Sequence, residues 1–195
     1  DDTYTTQTFT ITVSPVNDEP SFTKGADETV LEDAGAQTVN GWATALDKGA
    51  TNESGQTLSF AVTNDNNSLF SVQPAIDATG NLTYTPAADA NGSATVSVVL
   101  SDNGGTANGG DDTYTTQTFT ITVTPVNDEP SFTKGADETV LEDAGAQTVN
   151  SWATALDKGA TNESGQTLSF AVTNDNNSLF SVQPSIDATG NLTYT

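Results

Sequence analysis

Residues 118–123 read Thr-Phe-Thr-Ile-Thr-Val, a strict alternation of polar and apolar side chains. Successive side chains of a β-strand point to opposite faces, so the alternation predicts a strand with one face toward a core. Residues 58–62, 82–84 and 96–100 show the same period less cleanly. Gly, Asn and Asp clusters separate these stretches as turns, and no apolar period of 3.6 residues is sustained. The sequence therefore predicts an all-β protein.

The stretch 118–123 belongs to a large internal repeat. Residues 1–85 recur as residues 111–195 with three differences. The differing pairs are Ser14 and Thr124, Gly41 and Ser151, and Ala75 and Ser185. A shift of this length matches one whole domain and is too long for one turn of a solenoid. Seven or eight short strands per repeat predict tandem antiparallel β-sandwiches of the immunoglobulin type.

The sequence Pro-Val-Asn-Asp-Glu-Pro, at 15–20 and 125–130, marks the boundaries between repeats. Two prolines remove backbone donors and stop a sheet, so a strand ends there. We predict that residues 1–16 are the final strand of a preceding repeat and that residues 17–126 form a complete one. Residues 127–195 are then a repeat that stops before its last two strands.

Two aromatic residues raise a choice between core and ligand site. Phe60 has apolar neighbours at period two, and Trp42 opens a short stretch, 42–46, that fits either a strand or one helical turn. We expect both rings in the core. The alternative is an exposed aromatic platform for a ligand.

The charge balance excludes several partners. The chain has 26 acidic residues against 4 Lys, no Arg and no His, for a net charge of −22. Such a surface offers no basic patch to nucleic acid or to an anionic membrane. No apolar run approaches the roughly 20 residues of a membrane span. We expect neither nucleic-acid binding nor membrane insertion.

The residue types also argue against catalysis. Without His or Cys, nucleophile–histidine chemistry is excluded, and no P-loop or Arg is present to hold phosphate. A glycosidase-like pair such as Asp47 with Glu53 is a weaker alternative, because acidic side chains in loops are usually solvated or bind calcium. An ice-binding Thr face is also a weaker alternative, because no flat Thr array recurs on neighbouring strands. We expect no enzyme. The absence of Cys also excludes disulfides.

Acidic and amide side chains gather in the predicted turns and in the linker. Calcium takes six to eight hard oxygen ligands from carboxylates, amides, backbone carbonyls and water. The composition therefore predicts calcium as the bound ion. The candidate groups are Glu32-Asp33, Asp47 with Asn52-Glu53, Asp89, Asp102-Asn103, Asp111-Asp112 and Asn127-Asp128.

Several motifs together carry a family resemblance. Residues 127–130, Asn-Asp-Glu-Pro, resemble the linker between bacterial cadherin-like domains. Further motifs are Leu-Glu-Asp-Ala-Gly (31–35), Glu-Ser-Gly-Gln-Thr-Leu-Ser-Phe (53–60), Gly-Asn-Leu-Thr-Tyr-Thr-Pro (80–86) and Ser-Asp-Asn-Gly-Gly (101–105). The whole repeat is similar to the cadherin-like and immunoglobulin-like extender repeats of giant bacterial adhesins, including RTX-type biofilm adhesins.

This resemblance implies calcium held jointly by the end of one domain, the linker and the top of the next domain. Two departures from the family pattern stand out: its mid-domain acidic motif is reduced to Asp89, and its next-domain Asp-x-Asp to Asp47-Lys48-Gly49. The implied ligands are Asn17, Asp18, Glu32, Asp47, Glu53, Asp89, Asp102, Asn127, Asp128, Asp157 and Glu163.

The resemblance also implies a function. We expect a structural extender module of a secreted adhesin at a bacterial cell surface, with tandem sandwiches made rigid by calcium at their junctions. Its partners would be calcium and the neighbouring repeats of the same chain, and we expect a monomer. The alternative is an adhesive module that binds carbohydrate or another surface ligand and gains from multivalency.

Overall fold

The protein is all-β in the computed structural model, which describes residues 2–195. No helix of this described part is long and apolar enough to span a bilayer. The only helical segments described are single 3-10 turns at Thr51–Glu53, Asn67–Leu69, Ala107–Gly109, Thr161–Glu163 and Asn177–Leu179. The chain divides into two compact units, Asp1–Thr124 (unit 1) and Pro125–Thr195 (unit 2). The prediction of an all-β fold is confirmed, whereas the assignment of tandem domains stays a prediction.

The described residues of unit 1, 2–124, form nine strands, and the stretches predicted from alternation overlap four of them. The ambiguous stretch at 42–46 runs into a strand rather than a helical turn. The strands are β1 (Ser21–Thr23), β2 (Glu28–Leu31), β3 (Gln37–Val39), β4 (Thr44–Asp47), β5 (Ser59–Asn64), β6 (Phe70–Ile76), β7 (Leu82–Pro86), β8 (Gly92–Ser101) and β9 (Gln117–Thr124).

The larger sheet of unit 1 has the order β2-β9-β8-β5. β8 pairs antiparallel with both β9 and β5, and β2 pairs parallel with β9 from Glu28 opposite Ile121 to Leu31 opposite Thr124. The predicted antiparallel sandwich is confirmed, and β2 with β9 is a parallel pair within it.

A three-stranded sheet, β3-β7-β6, and a two-stranded pair, β1-β4, complete unit 1. Strands β3, β7 and β6 on one side and β5, β8 and β9 on the other have the order of the two sheets of an immunoglobulin-type sandwich. Apolar side chains at alternate positions of both sheets form one core. Its members include Phe22, Leu69, Leu82, Tyr84, Val96, Val98, Leu100, Phe119, Ile121 and Val123.

Trp42 lies in this core, as predicted. Its ring centroid is 4.3 Å from that of Phe119, and its indole N–H donates to the carbonyl of Ala26 at 3.0 Å. A buried indole needs such an acceptor, because an unpaired N–H in the interior is costly. Phe60 is half-buried and packs edge-on against Phe22, with ring centroids 5.3 Å apart. Neither ring provides an exposed platform.

Residues 2–20 form no strand in the described chain. Phe9, Ile11 and Val13 are exposed, Ile11 to 76%, although their counterparts in β9 belong to the core. The counterpart strand β9 lies between β2 and β8, and residues 2–14 have no such neighbours here. The assignment of residues 1–16 to a preceding repeat stays a prediction.

Unit 2 retains only part of this architecture in its described residues. Its sheets, β10-β12 and β11-β14-β13, correspond to β1-β4 and to β3-β7-β6 of unit 1. Residues 138–141 and 169–174 match β2 and β5 in sequence but form no strand, because unit 2 contains no copy of β8 or β9 for them to pair with. The strands are β10 (Ser131–Thr133), β11 (Gln147–Val149), β12 (Thr154–Asp157), β13 (Ser185–Ile186) and β14 (Leu192–Tyr194).

The same side chains are therefore buried in one unit and exposed in the other. Leu69 is 2% exposed, whereas its counterpart Leu179 is 70% exposed. Phe22 is 6% exposed, whereas Phe132 is 49% exposed. Because the local sequences are identical, this difference measures what the β8–β9 pair contributes to the core.

We predict that Leu69→Ala and Leu179→Ala differ sharply in effect. Truncating a fully buried Leu costs about 2–5 kcal/mol, and truncating an exposed one changes stability by roughly 0.5 kcal/mol or less. Urea unfolding of Leu69→Ala, followed by Trp42 fluorescence in a Trp152→Phe background, reads the stability of unit 1. Urea unfolding of Leu179→Ala, followed by Trp152 fluorescence in a Trp42→Phe background, reads that of unit 2. Equal losses from both substitutions would contradict the assigned core.

Candidate metal centre

The direction of β2 and β9 defines two ends of unit 1. At the entry end the chain begins its first strand beside the segment 111–116, where Asp111 N donates to Asn17 O at 3.1 Å. β2 and β9 then run in parallel away from it. At the exit end Glu32 N donates to Thr124 O at 2.9 Å. The chain therefore enters and leaves unit 1 at opposite ends.

Asn17 organises the entry end. Its side-chain amide donates to Asp102 Oδ1 at 3.0 Å, and its Oδ1 accepts from Gln56 Nε2 at 2.6 Å. Its neighbour Asp18 donates its backbone N–H to Glu53 Oε1 at 2.9 Å. Side chains from three loops that are distant in sequence thus converge on one point.

Glu53 is buried by the turn that carries it. It closes the 3-10 turn Thr51–Glu53, and its Oε2 accepts from Ala50 N at 2.9 Å. Gly49 has a φ of +104°, and a Cβ at this position would clash with Glu53 Oε2. The glycine is required on both counts, because other residues avoid this φ and a side chain would displace the carboxylate.

In unit 1, the buried side chain of Asp102 is only partly hydrogen-bonded. The residue is 8% exposed, and its Oδ1 accepts from Gly104 N at 2.8 Å. Its Oδ2 is buried without a hydrogen-bond partner, as is Gln56 Oε1. Buried oxygens normally find a donor, and no salt bridge of the described residues reaches Asp102. A bound cation would satisfy these oxygens.

Unit 2 repeats part of this arrangement. Asp128 N donates to Glu163 Oε1 at 2.9 Å, and Asn127 Oδ1 accepts from Gln166 Nε2 at 2.9 Å. Glu163 is again buried, and its Oε2 has no hydrogen-bond partner. The linker pair therefore packs against the start of the unit that follows it. This arrangement forms without copies of β8 and β9, so it is encoded locally.

A second group of oxygens lies at the exit end of unit 1. Glu32 is buried, and its Oε2 accepts from Asn91 Nδ2 at 3.0 Å. Asp89 N donates to Asp33 Oδ1 at 3.0 Å, and carboxylate oxygens of these two exposed residues lie within 4.8 Å of each other. Both have positive φ, which Asp tolerates better than most residues. In unit 2 the counterpart of Glu32 is exposed, because its flanking strand is absent.

The structure gathers most of the predicted ligands into three groups. Asp47 and Asp157 belong to none of these groups. Each ends a strand, β4 or β12, and its carboxylate accepts a hydrogen bond at 3.2 Å from the backbone N–H of the glycine two residues later. Calcium binding by any of these residues stays a prediction. The groups are Asn17, Asp18, Glu53 and Asp102; Glu32 and Asp89; and Asn127, Asp128 and Glu163.

Sequence reasoning misses Gln56 and Asn91. Both are neutral amides in loops that carry stronger acidic signals, so their charge does not mark them. The only sequence signal for their role is their closeness to predicted ligands. Gln56 follows Glu53 by three residues, and Asn91 follows Asp89 by two. Only the folded chain brings their amides onto Asn17 and Glu32.

The strongest pKa shift lies outside these groups. Hydrogen bonds from Thr79 Oγ1 and from the backbone and side chain of Asn81 hold the pKa of Asp77 well below its usual range. These bonds close the exposed turn between β6 and β7, and the same pattern recurs at Asp187. A lowered pKa here reflects a turn and not a metal site.

Comparison with known proteins assigns the chain to no family. No family model matches the sequence, and no curated protein matches it. The chemistry of the two ends therefore has to be derived from their donor atoms. These are carboxylate and amide oxygens without nitrogen or sulfur ligands, a donor set that suits calcium and magnesium better than zinc or copper.

We predict that Asp102→Asn has opposite effects with and without calcium. The substitution removes a buried negative charge whose Oδ2 lacks a donor, so in chelator the melting temperature of unit 1 should stay equal or rise. In millimolar calcium the variant should lose most of the stabilisation that the ion gives the parent chain. Differential scanning calorimetry in both conditions measures this.

The matched control is Asp175→Asn, which removes the same charge from an exposed turn of unit 2. It should leave the calcium response unchanged. If both variants gained as much from calcium as the parent chain does, Asp102 would not be a ligand.

Proposed function

We propose that this chain is a structural extender, in which tandem β-sandwich repeats are stiffened by calcium at their junctions. The observation that carries the proposal is the buried Asp102 Oδ2, which lacks a hydrogen-bond donor among other oxygens at the entry end. Such an atom is costly unless a cation or a donor reaches it. The extender would belong to a secreted adhesin of a bacterial cell surface.

Charge and donor chemistry favour calcium as the ion. With a net charge of −22, the chain repels itself along its length unless cations neutralise part of it. Calcium accepts six to eight oxygen ligands in flexible geometry, whereas magnesium requires a small, near-ideal octahedron. A loose set of carboxylates and amides from separate loops fits the larger ion.

The positions of the oxygens favour sites at the junctions. The linker residues Asn127 and Asp128 are hydrogen-bonded to the unit that follows them. Asp128 lies four residues after Thr124, and four residues of chain span at most about 14 Å. The linker therefore begins within reach of the exit-end group around Glu32 and Asp89.

The path of the chain favours extension. It enters and leaves unit 1 at opposite ends, so repeats joined in series add their lengths. A ten-residue strand such as β8 is about 33 Å long at roughly 3.3 Å per residue. A ligand-binding adhesive module, the other candidate, has less support, because Trp42 is buried and Phe60 is half-buried.

We predict that calcium stiffens a chain of two complete repeats, made by adding residues 86–126 again after Thr195. Without calcium, the repelling carboxylates at the junction should let the two repeats sample many angles. Small-angle scattering should give a rod with a maximum dimension of about 70–80 Å in calcium and a broader, shorter distribution in chelator.

Asp128→Ala should make the calcium form behave like the chelated one, while each sandwich stays folded. Asp2→Ala, which removes an exposed carboxylate far from the linker in sequence, serves as the charge-matched control. An identical maximum dimension with and without calcium would refute the stiffening.

We also predict that calcium stabilises the fold more than magnesium does. A ligand that binds only the folded state adds about 2.7 kcal/mol per site at a hundredfold excess over Kd. Extracellular calcium modules have Kd values of roughly 10⁻⁴–10⁻³ M, so millimolar calcium should raise the melting temperature measurably. Equal shifts from the two ions at equal ionic strength would indicate charge screening instead of a specific site.

A further inference from the structure

We propose that Asn108 is a site of spontaneous chemical modification, at which the side-chain amide is replaced by a carboxylate without an enzyme. The product would be a mixture of aspartyl and isoaspartyl residues in the loop between β8 and β9. The inference comes from comparing the four Asn-Gly steps of the chain, at 40–41, 91–92, 103–104 and 108–109. It concerns unit 1 alone and does not depend on a bound ion.

An Asn-Gly step contains both reacting groups. The backbone nitrogen of the glycine attacks the side-chain carbonyl carbon of the asparagine, loses its proton and expels the amide nitrogen as ammonia. The new C–N bond closes a succinimide ring. Water then opens the ring at one of its two carbonyl carbons, which gives aspartate or isoaspartate. Glycine favours the attack, because it has no side chain beside the nitrogen and leaves the backbone free to rotate.

Hydrogen bonds decide which of these steps can react in the folded chain. The attacking nitrogen has to rotate toward the side chain, so a hydrogen bond that its N–H donates must break first. A single bond of ordinary strength slows the step about tenfold. The local sequence is the same at the four steps, and the fold therefore sets their order.

Two steps are held by side-chain acceptors. Gly41 N donates to Asn81 Oδ1 at 2.9 Å. Gly104 N donates to Asp102 Oδ1 at 2.8 Å, and the side-chain oxygen of Asn103 itself accepts a backbone N–H at 2.8 Å. Both the nitrogen and the carbonyl of the step at 103–104 are thus restrained.

The step at 91–92 is held by the larger sheet. Gly92 is the first residue of β8 and lies opposite Val123 of β9. Asn91 is half-buried, and its Nδ2 donates to Glu32 Oε2 at 3.0 Å. Ring closure at this step would require the end of the β8–β9 ladder to open.

The step at 108–109 has none of these restraints. Asn108 is exposed, and no side chain of the described residues binds its amide or accepts from the backbone N–H of Gly109. The space beside the α-carbon of Gly109 is open. Asn108 has a φ of +58° within a single 3-10 turn, which is closed by a hydrogen bond from Gly110 N to Ala107 O at 3.1 Å. Opening one such turn leaves the sandwich intact.

The position of Asn108 determines what the product changes. The loop that contains it begins at Asp102 and continues to Asp111, whose carbonyl accepts from Asn17 Nδ2 at 2.7 Å. A carboxylate at position 108 adds a further negative charge to this acidic loop. Residues 102–110 form no strand, so the longer backbone of isoaspartate interrupts no ladder. The entry end therefore gains charge as the molecule ages, without loss of the fold.

Peptide mapping by mass spectrometry tests the proposal on the full chain, kept folded in chelator at physiological temperature and mildly alkaline pH. Asn108 should deamidate about tenfold faster than Asn40, Asn91 and Asn103, because each of those steps has at least one hydrogen bond to break. The product at position 108 should include isoaspartate, which forms only through the ring. Equal rates at the four steps, or aspartate as the sole product, would overturn the proposal.

The same measurement in concentrated urea separates the fold from the local sequence. Unfolding releases the three held steps, so their rates should rise to that of Asn108. If the differences persisted in urea, they would come from the local sequence, and the assigned protection would be wrong.

Asn81→Ala is a matched variant, because it removes the acceptor of the Gly41 N–H and leaves the loop of Asn108 unchanged. Asn40 should then deamidate about tenfold faster than in the parent chain, whereas the rate at Asn108 should stay the same. An unchanged rate at Asn40 would contradict the role given to the hydrogen bond.

Asn108→Gln provides a second readout on the intact protein. The longer side chain would have to close a larger ring, so the variant should resist the reaction. Anion-exchange chromatography of the aged parent chain should resolve a more acidic species that the aged variant lacks. The same species in equal amount in the variant would place the modification at another residue.

Discussion

The pairing of β8 with β9 is the interaction on which the rest of the sandwich depends. The same sequence forms β2 and β5 where this pair is present and forms neither where it is absent. The effect extends to the core, since Leu69 and Phe22 are buried only in the unit that contains the pair. Local sequence is sufficient for the smaller sheets but not for the larger one, whose strands need central partners before they can bury a face.

The acidic loops at the ends of the sandwich differ from the core in the forces that act on them. Apolar burial holds the two sheets together, whereas the loops at each end hold carboxylates close to one another, at a cost in repulsion and desolvation. The carboxylate of Glu53 recovers part of this cost because it accepts two backbone N–H bonds. The carboxylate of Asp102 recovers less, because only one of its two oxygens accepts hydrogen bonds.

Alternation along the chain is enough to predict β5, β7, β8 and β9, because period two is a local property that a strand of five or more residues displays. The short strands β1 and β4 have three and four residues and carry no measurable period. The parallel register of β2 and β9 joins residues 93 positions apart, such as Glu28 and Ile121, and no local pattern encodes it. The candidate ligands were predicted by charge, but the bond between Asn17 and Asp102, 85 residues apart, required the fold.

The parallel pair of β2 and β9 determines how a repeat responds to tension. If unit 1 is pulled by its two chain ends, the force enters near β2 and leaves at the end of β9, along the strand axes. The two strands are then loaded in shear, so that the hydrogen bonds along the four residue pairs share the load and must break together. An antiparallel pair pulled from one end would instead unzip one bond at a time. The topology thus gives unit 1 a mechanical clamp between β2 and β9 of its larger sheet.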